Sequence, residues 1–132
     1  MIEETKKQHT FRGKTIEELQ KMEVRESAKF LSSRSRKAVL RHFQEIEDFL
    51  IRANKKATRN KPIRTHLRDL IVVPGMIGMK IQIYNGRVFV PVEITWDKLG
   101  HRFGEFAPTR AKIKHGKAGV GSTKGTKNKA KK

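Results

Sequence analysis

The five histidines, His9, His42, His66, His101 and His115, have the widest chemical range in this chain, and their spacing excludes most of it. A metal site needs ligands at short recurring intervals, usually with cysteine among them, and the chain has no cysteine. No metal and no other cofactor is therefore expected. The acids of the second half, Asp69, Glu93, Asp97 and Glu105, stand apart in a cationic neighbourhood. They read as salt-bridge partners rather than as a paired general acid and base. Gly116, Gly119 and Gly121 do not lie between a strand and a helix, and no Lys-Ser or Lys-Thr ending follows them. They read as flexible chain and not as a phosphate loop. These residues point to no enzyme, no catalytic residue and no small-molecule substrate.

What the residue types do support is contact with a polyanion. Thirty-one Lys and Arg against thirteen Asp and Glu give a net charge of +18. Self-repulsion of that size disfavours a compact free state and favours a partner rich in negative charge. Arg64, His66 and Arg68 alternate, which in extended chain projects all three to one side. Arg87 sits between two alternating runs, Lys98, His101 and Arg102 follow a short helical turn, and Arg110, Lys112, Lys114 and His115 lead into a basic tail. Arginine grips phosphate through a two-pronged fork, and lysine acts as a point charge. Aromatic residues beside them are sparse: Tyr84, Phe89, Trp96, Phe103 and Phe106. Recognition is thus expected to rest on phosphate, 2′-hydroxyl and the shape of folded RNA, not on a base-stacking platform.

Other classes fit less well. A membrane-bound protein would need about 18 uninterrupted apolar residues, or a basic amphipathic helix with a bulky apolar face. Neither is apparent, and the opening residues Met1 to Lys6 have no apolar core of a signal peptide. The absence of cysteine agrees with a reducing compartment. Two rivals remain at this stage: a basic protein coating duplex DNA, and a nuclease or RNA-modifying enzyme. The second would need clustered acids or a histidine pair near the basic face.

Three regions must position these residues. Residues 1–60 carry nine of the thirteen acids and read as helical; 61–110 read as an α+β RNA-binding core; 111–132, with eight lysines and no acid, read as a tail that is disordered when free. Thr15-Ile16-Glu17-Glu18 is a capping box, opening a short helix to about Met22, and a second short helix covers Val24 to Leu31. The longest helix is expected to start after Ser33 or Ser35 and to run unbroken to about Ala57. Val39, Phe43, Ile46, Leu50 and Ala53 recur along it at alternating spacings of four and three, an apolar stripe that docks on the rest of the chain. Its polar face is basic at both ends, with Arg34, Arg36, Lys37 and Arg41 at one and Arg52, Lys55, Lys56 and Arg59 at the other. Such a run is either a solvated face or a phosphate contact.

Lys80 to Tyr84 and Val88 to Ile94 alternate around Asn85-Gly86, the strongest short-range hairpin signal. A two-residue turn would pair Tyr84 with Arg87, Ile83 with Val88 and Ile81 with Val90. Leu70 to Val73 is the expected third strand, and Pro91 either places its own strand at an edge or ends the pairing there. Thr95 can cap a single turn, Trp96 to Leu99, that Gly100 ends. The expected fold is α+β: N-terminal helices packed on a small three-stranded sheet with an Asn-Gly hairpin, followed by the basic tail.

The segment Gly100-His101-Arg102-Phe103-Gly104-Glu105-Phe106-Ala107-Pro108-Thr109-Arg110 closely resembles the signature of the small-subunit ribosomal protein family S-nineteen. Arg64 to Asp69, Pro74 to Gly78 and Tyr84 to Val92 agree with the same family in the same order. The helical N-terminal part and the ending Lys114 to Gly121 look like its archaeal and eukaryotic branch. The resemblance implies a structural constituent of the small ribosomal subunit, cytoplasmic and bound to small-subunit rRNA in the head. It further implies a neighbour of the S-thirteen family and a tail pointing towards the tRNA sites. It makes Arg64, His66, Arg68, Arg87, His101, Arg102, Arg110, Lys114 and His115 the candidate RNA contacts. Lys98 and Lys112 join them from the charge pattern alone.

Overall fold

A computed structural model of the chain describes residues 8–121. The chain enters through a small hairpin, β1 (Thr10–Phe11) and β2 (Lys14–Thr15), paired antiparallel. Its two turn residues, Arg12 and Gly13, both have positive φ, 48° and 83°. This is the backbone that a two-residue hairpin turn demands. Thr15 then caps α1 (Ile16–Lys21): its hydroxyl accepts from the Glu18 amide at 3.4 Å, and its own amide donates to the Glu18 carboxylate at 3.3 Å. Leu19 is the buried residue of that helix. The next segment is α2 (Val24–Ser27), extended by a 3₁₀ turn over Ala28–Phe30.

The long helix divides in two. α3 (Ser33–Arg41) and α4 (Phe43–Thr58) meet at His42, whose φ of −116° and ψ of 23° leave the helical range. Backbone hydrogen bonds cross the break, from His42 to Ala38 at 3.0 Å and from Ile46 to His42 at 3.2 Å. The apolar stripe crosses it as well, with Val39, Ile46 and Ala53 all buried. Ser32 takes the N-cap position, and the Ser35 hydroxyl instead donates to the carbonyl of Gly100 at 2.8 Å, tying α3 to a distant loop.

A three-stranded sheet holds β3 (Ile63–Thr65), β4 (Lys80–Tyr84) and β5 (Phe89–Glu93) in that order. β3 and β4 are parallel, with Ile63 beside Ile81 and Thr65 beside Ile83; β4 and β5 are antiparallel. The sheet differs from the sequence expectation in two ways. The third strand is Ile63–Thr65, not Leu70 to Val73. Leu70, Ile71, Val72 and Val73 are all buried, whereas a sheet with one solvated face needs the buried-exposed-buried alternation found in Ile63, Arg64 and Thr65. The apolar run serves as the interior crossover that a parallel pair requires. It pairs with the segment after Gly100: Val72 donates to His101 at 2.8 Å, Gly100 to Val72 at 3.1 Å, and Phe103 to Leu70 at 3.0 Å.

The hairpin register also differs. Ile83 lies opposite Val90, Ile81 opposite Val92 and Tyr84 opposite Phe89, with Asn85 to Val88 as a four-residue loop. The Asn85 side-chain oxygen accepts from the amides of Arg87 and Val88, both at 2.9 Å, and only Gly86 takes positive φ, at 97°. By holding two amides, the asparagine replaces the tight turn with a wider one. The pairing moves by two residues, so each side chain keeps its face; a slip of one would have reversed them. Pro91 does lie on an edge strand.

The core unites both halves. Val39, Ile46, Phe49 and Ala53 of the helices pack with Leu70 to Val73, with Ile81, Ile83 and Val92 of the sheet, and with Phe103. Phe49 and Phe103 meet edge to face, their centroids 5.4 Å apart. The tail from residue 111 to 121 is exposed throughout and forms no helix or strand; the remainder of the predicted tail, 122–132, lies outside the described residues. Replacing Asn85 by alanine is expected to cost about 1 kcal/mol, from the loss of its two amide contacts. Urea unfolding should show a lower midpoint at unchanged slope, and Asn85→Asp should recover most of the loss.

Candidate nucleic-acid interface

The sheet presents its outer face to solvent, and β3 and β4 hold side chains of different strands in register there. Arg64 stands beside Gln82, and its Nε donates to the glutamine oxygen at 3.0 Å. Thr65 is buried on the inner face, so His66 follows on the outer one. The His66 ring lies 4.7 Å from Tyr84 and 5.1 Å from Phe89, and Tyr84 and Phe89 are 5.1 Å apart. The Arg64 guanidinium stands 5.4 Å from the Phe89 ring. Arg64 and His66 thus come together as expected, and the rings of Tyr84 and Phe89 stand with them. The signal was present: Tyr84 and Phe89 are five apart, the spacing that faces them across a four-residue loop.

Arg68 has a different task. It is half-buried, and its guanidinium donates to the carbonyls of Tyr84 at 2.7 Å, Gly104 at 2.9 Å and Ala107 at 2.6 Å. A Cβ at Gly104 would stand 3.3 Å from three atoms of Arg68, so a glycine lets the loop close on the arginine. Arg68 therefore binds the chain to itself, in contrast to its neighbours Arg64 and His66.

The segment after the sheet divides its cations between two sides. Lys98 donates from Nζ to the Glu93 carbonyl and stands 5.5 Å from the Phe106 ring; His101 meets the same ring at 6.0 Å and the Glu105 carboxylate at 2.7 Å. The Thr95 hydroxyl, donating to Asp97, holds that exposed carboxyl below the usual carboxylate range. Arg102 turns the other way. It donates to the Asp69 carbonyl at 3.3 Å and joins Arg34, Lys37 and Arg41 of α3 around a cleft of about 510 Å³. Sequence reasoning saw the basic end of that helix but not the fourth cation facing it. Arg87, at the hairpin tip, shares an open groove with Arg110, Lys112 and Lys114, and His115 is exposed beyond them.

Among the described residues, the ion pairs are His42 with Glu45 at 3.8 Å and His101 with Glu105 at 2.7 Å; no lysine or arginine is paired with a carboxylate. The histidines lie apart, His9 stacked on Trp96 at 4.7 Å and the others in the settings given above. Among the described residues, too, no helix is long and apolar enough to cross a membrane.

The described residues thus form an α+β body whose lysines and arginines have no carboxylate partner. Residues 35–115 match the family model of ribosomal protein S19, and the chain belongs to that family. A curated relative, the small ribosomal subunit protein uS19 of the archaeon Methanococcoides burtonii, is 39% identical over 122 residues, covering 92% of this chain and 88% of the relative. As a member of the family, the chain is a structural constituent of the small ribosomal subunit, located in the ribosome in the cytoplasm, and is not an enzyme.

Arg68→Ala is expected to cost roughly 2–4 kcal/mol, since charged hydrogen bonds each contribute about 1.5–3 kcal/mol before resolvation of the freed carbonyls. Chemical denaturation checks this. At a temperature where the variant remains folded, the slope of log Kd against log salt for RNA should match the parent's, because no phosphate contact is lost.

Proposed function

We propose that the chain binds small-subunit rRNA in the head of the subunit through cations on several faces. The contacts are Arg64 and His66 on the sheet, Arg87 at the hairpin tip, Lys98, His101 and Arg102 after it, and Arg110, Lys112, Lys114 and His115 in the tail. A neighbouring protein of the S-thirteen family and a tail directed towards the tRNA sites complete the reading. One observation carries it: among the described residues, every lysine and arginine lacks a carboxylate partner, in a chain of net charge +18. Unpaired surface cations in that number repel one another until an external polyanion neutralises them. Family membership supports rRNA as the polyanion.

If roughly 6–10 phosphates are neutralised, affinity for a head-domain rRNA fragment should fall by about 10³–10⁵ between about 50 and 200 mM salt. Filter binding with salt titration measures this, and a flat response, or equal competition by random duplex DNA, defeats the reading. Arg87→Gln should reduce the salt slope by about one, uniformly across RNA sequences.

Removing residues 116–132 should leave the thermal unfolding transition in place, since residues 116–121 are exposed and belong to no helix or strand. Subunits reconstituted with the shortened chain should bind tRNA more weakly. A lost unfolding transition would show that the core depends on the tail.

A further inference from the structure

We propose that the outer face of the sheet is a stacking site for an unpaired RNA base, formed by His66, Tyr84 and Phe89 with Arg64 beside them. The inference rests on the RNA-binding reading and adds a ligand class to one part of that surface. Its starting point is register. Parallel pairing of β3 with β4 sets Arg64 beside Gln82, and antiparallel pairing of β4 with β5 sets Tyr84 opposite Phe89. The hydroxyl of Thr65 accepts from the Leu67 amide at 3.0 Å, a local turn that fixes the chain on both sides of His66. Three strands thereby deliver three rings to one place.

A cross-strand aromatic pair is an ordinary way to hold a hairpin end, and it accounts for Tyr84 and Phe89. It does not account for His66, which arrives from the end of β3, or for Arg64. The ring planes are tilted to one another by 49° to 77°, so the three form a concave cluster, not a closed stack. His66 is exposed, and Tyr84 and Phe89 are half-buried, which leaves ring surface open to solvent. The Arg64 guanidinium is held from one side by Gln82 and lies against Phe89, so its plane is already oriented. Aromatic rings and arginine planes are the two surfaces on which splayed RNA bases stack.

The surroundings supply a path for the backbone of such a nucleotide. Arg64 and His66 also line a groove of about 320 Å³ between β3 and α4, whose far wall carries Arg52 and Lys56. Rings for the base therefore adjoin cations for the phosphates on either side of it. An acidic peptide would meet the same cations but would leave the rings without a flat partner.

The test is equilibrium binding of the full chain to a labelled oligoadenylate and to an oligomer of the same length and charge whose sugars carry no base. The parent should prefer the base-bearing strand by about tenfold or more. His66→Ala and Phe89→Leu should each bring that ratio towards one; Phe89→Leu, which removes no cation, should leave the abasic affinity unchanged. The ratio is read on one sample, so partial unfolding of Phe89→Leu does not move it, and His66 lies at an exposed position. Equal affinity of the parent for the two strands, binding of neither, or an undiminished ratio in both variants overturns the proposal. Salt-dependent binding to head-domain rRNA separates the two levels: if it persists, only the stacking site is lost, and if it too is absent, the RNA-binding reading fails with it.

Discussion

The Arg68 guanidinium joins parts of the chain that the sheet alone cannot hold together. Its three carbonyl partners belong to the end of β4 and to the two ends of the Gly104–Ala107 loop. A carbonyl withdrawn from solvent without a donor is costly. One fixed planar fork answers all three. The consequence extends to the surface on both sides. Tyr84, whose carbonyl is held, carries one of the three outer-face rings, and the held loop adjoins His101, Arg102 and Phe106. A half-buried cation that holds the chain thus helps to position the cations and rings that remain outside. Lysine, a point charge with no planar fork, could not reproduce the arrangement.

The remaining positive charge obeys the opposite rule. A chain of this length buries a modest core, here twenty hydrophobic residues among those described, drawn from the helices, the crossover, the sheet and the segment after it. Against that core stands a surface on which, among the described residues, no acid pairs with a lysine or arginine. Several described cations lie instead over rings, as Arg25 does at 3.7 Å from Phe43. Such contacts orient a cation and leave its charge in place. On the proposed reading such a surface awaits an external anion, which suits a constituent of the small ribosomal subunit.

Much of this was legible in the sequence, and the failures have physical causes. The capping box at Thr15 needed only local residue types, and its geometry is as read. The alternation on both sides of Asn85-Gly86 located the two strands and their buried faces. Their register was misplaced because Asn-Gly supports two turns, and the choice fell to the side-chain oxygen of Asn85. The two-residue turn occurs instead at Arg12-Gly13, where arginine at positive φ carries no sequence signal. Leu70 to Val73 reads as a strand in sequence because a short apolar run looks the same whether it lies in a sheet or crosses beneath one. The shorter Ile63-Arg64-Thr65 alternates but is too brief to stand out. The break at His42 has neither proline nor glycine to announce it. Among the site residues, charge located the positive surface as a whole, yet one-dimensional spacing could not separate Arg68, turned inward, from Arg64 and His66 on the same stretch.

On the proposed reading, that separation lets a small sheet serve two kinds of recognition at once. Alternation gives a strand one face for the core and one for solvent, and the core face is filled by Ile63, Ile81, Ile83 and Val92. The outer face is then free to carry rings only if something offsets their exposure. Mutual contact among His66, Tyr84 and Phe89 does so in part, and the Arg64–Gln82 hydrogen bond keeps a guanidinium beside them. Phosphate contacts alone report where an RNA backbone runs and nothing about its bases. A ring cluster set among cations would add sensitivity to whether a base is unpaired, because only a splayed nucleotide can present its face there. Shape readout by distributed charge and local readout by stacking are in this way compatible within one three-stranded sheet, since they draw on different residues of the same alternating strands.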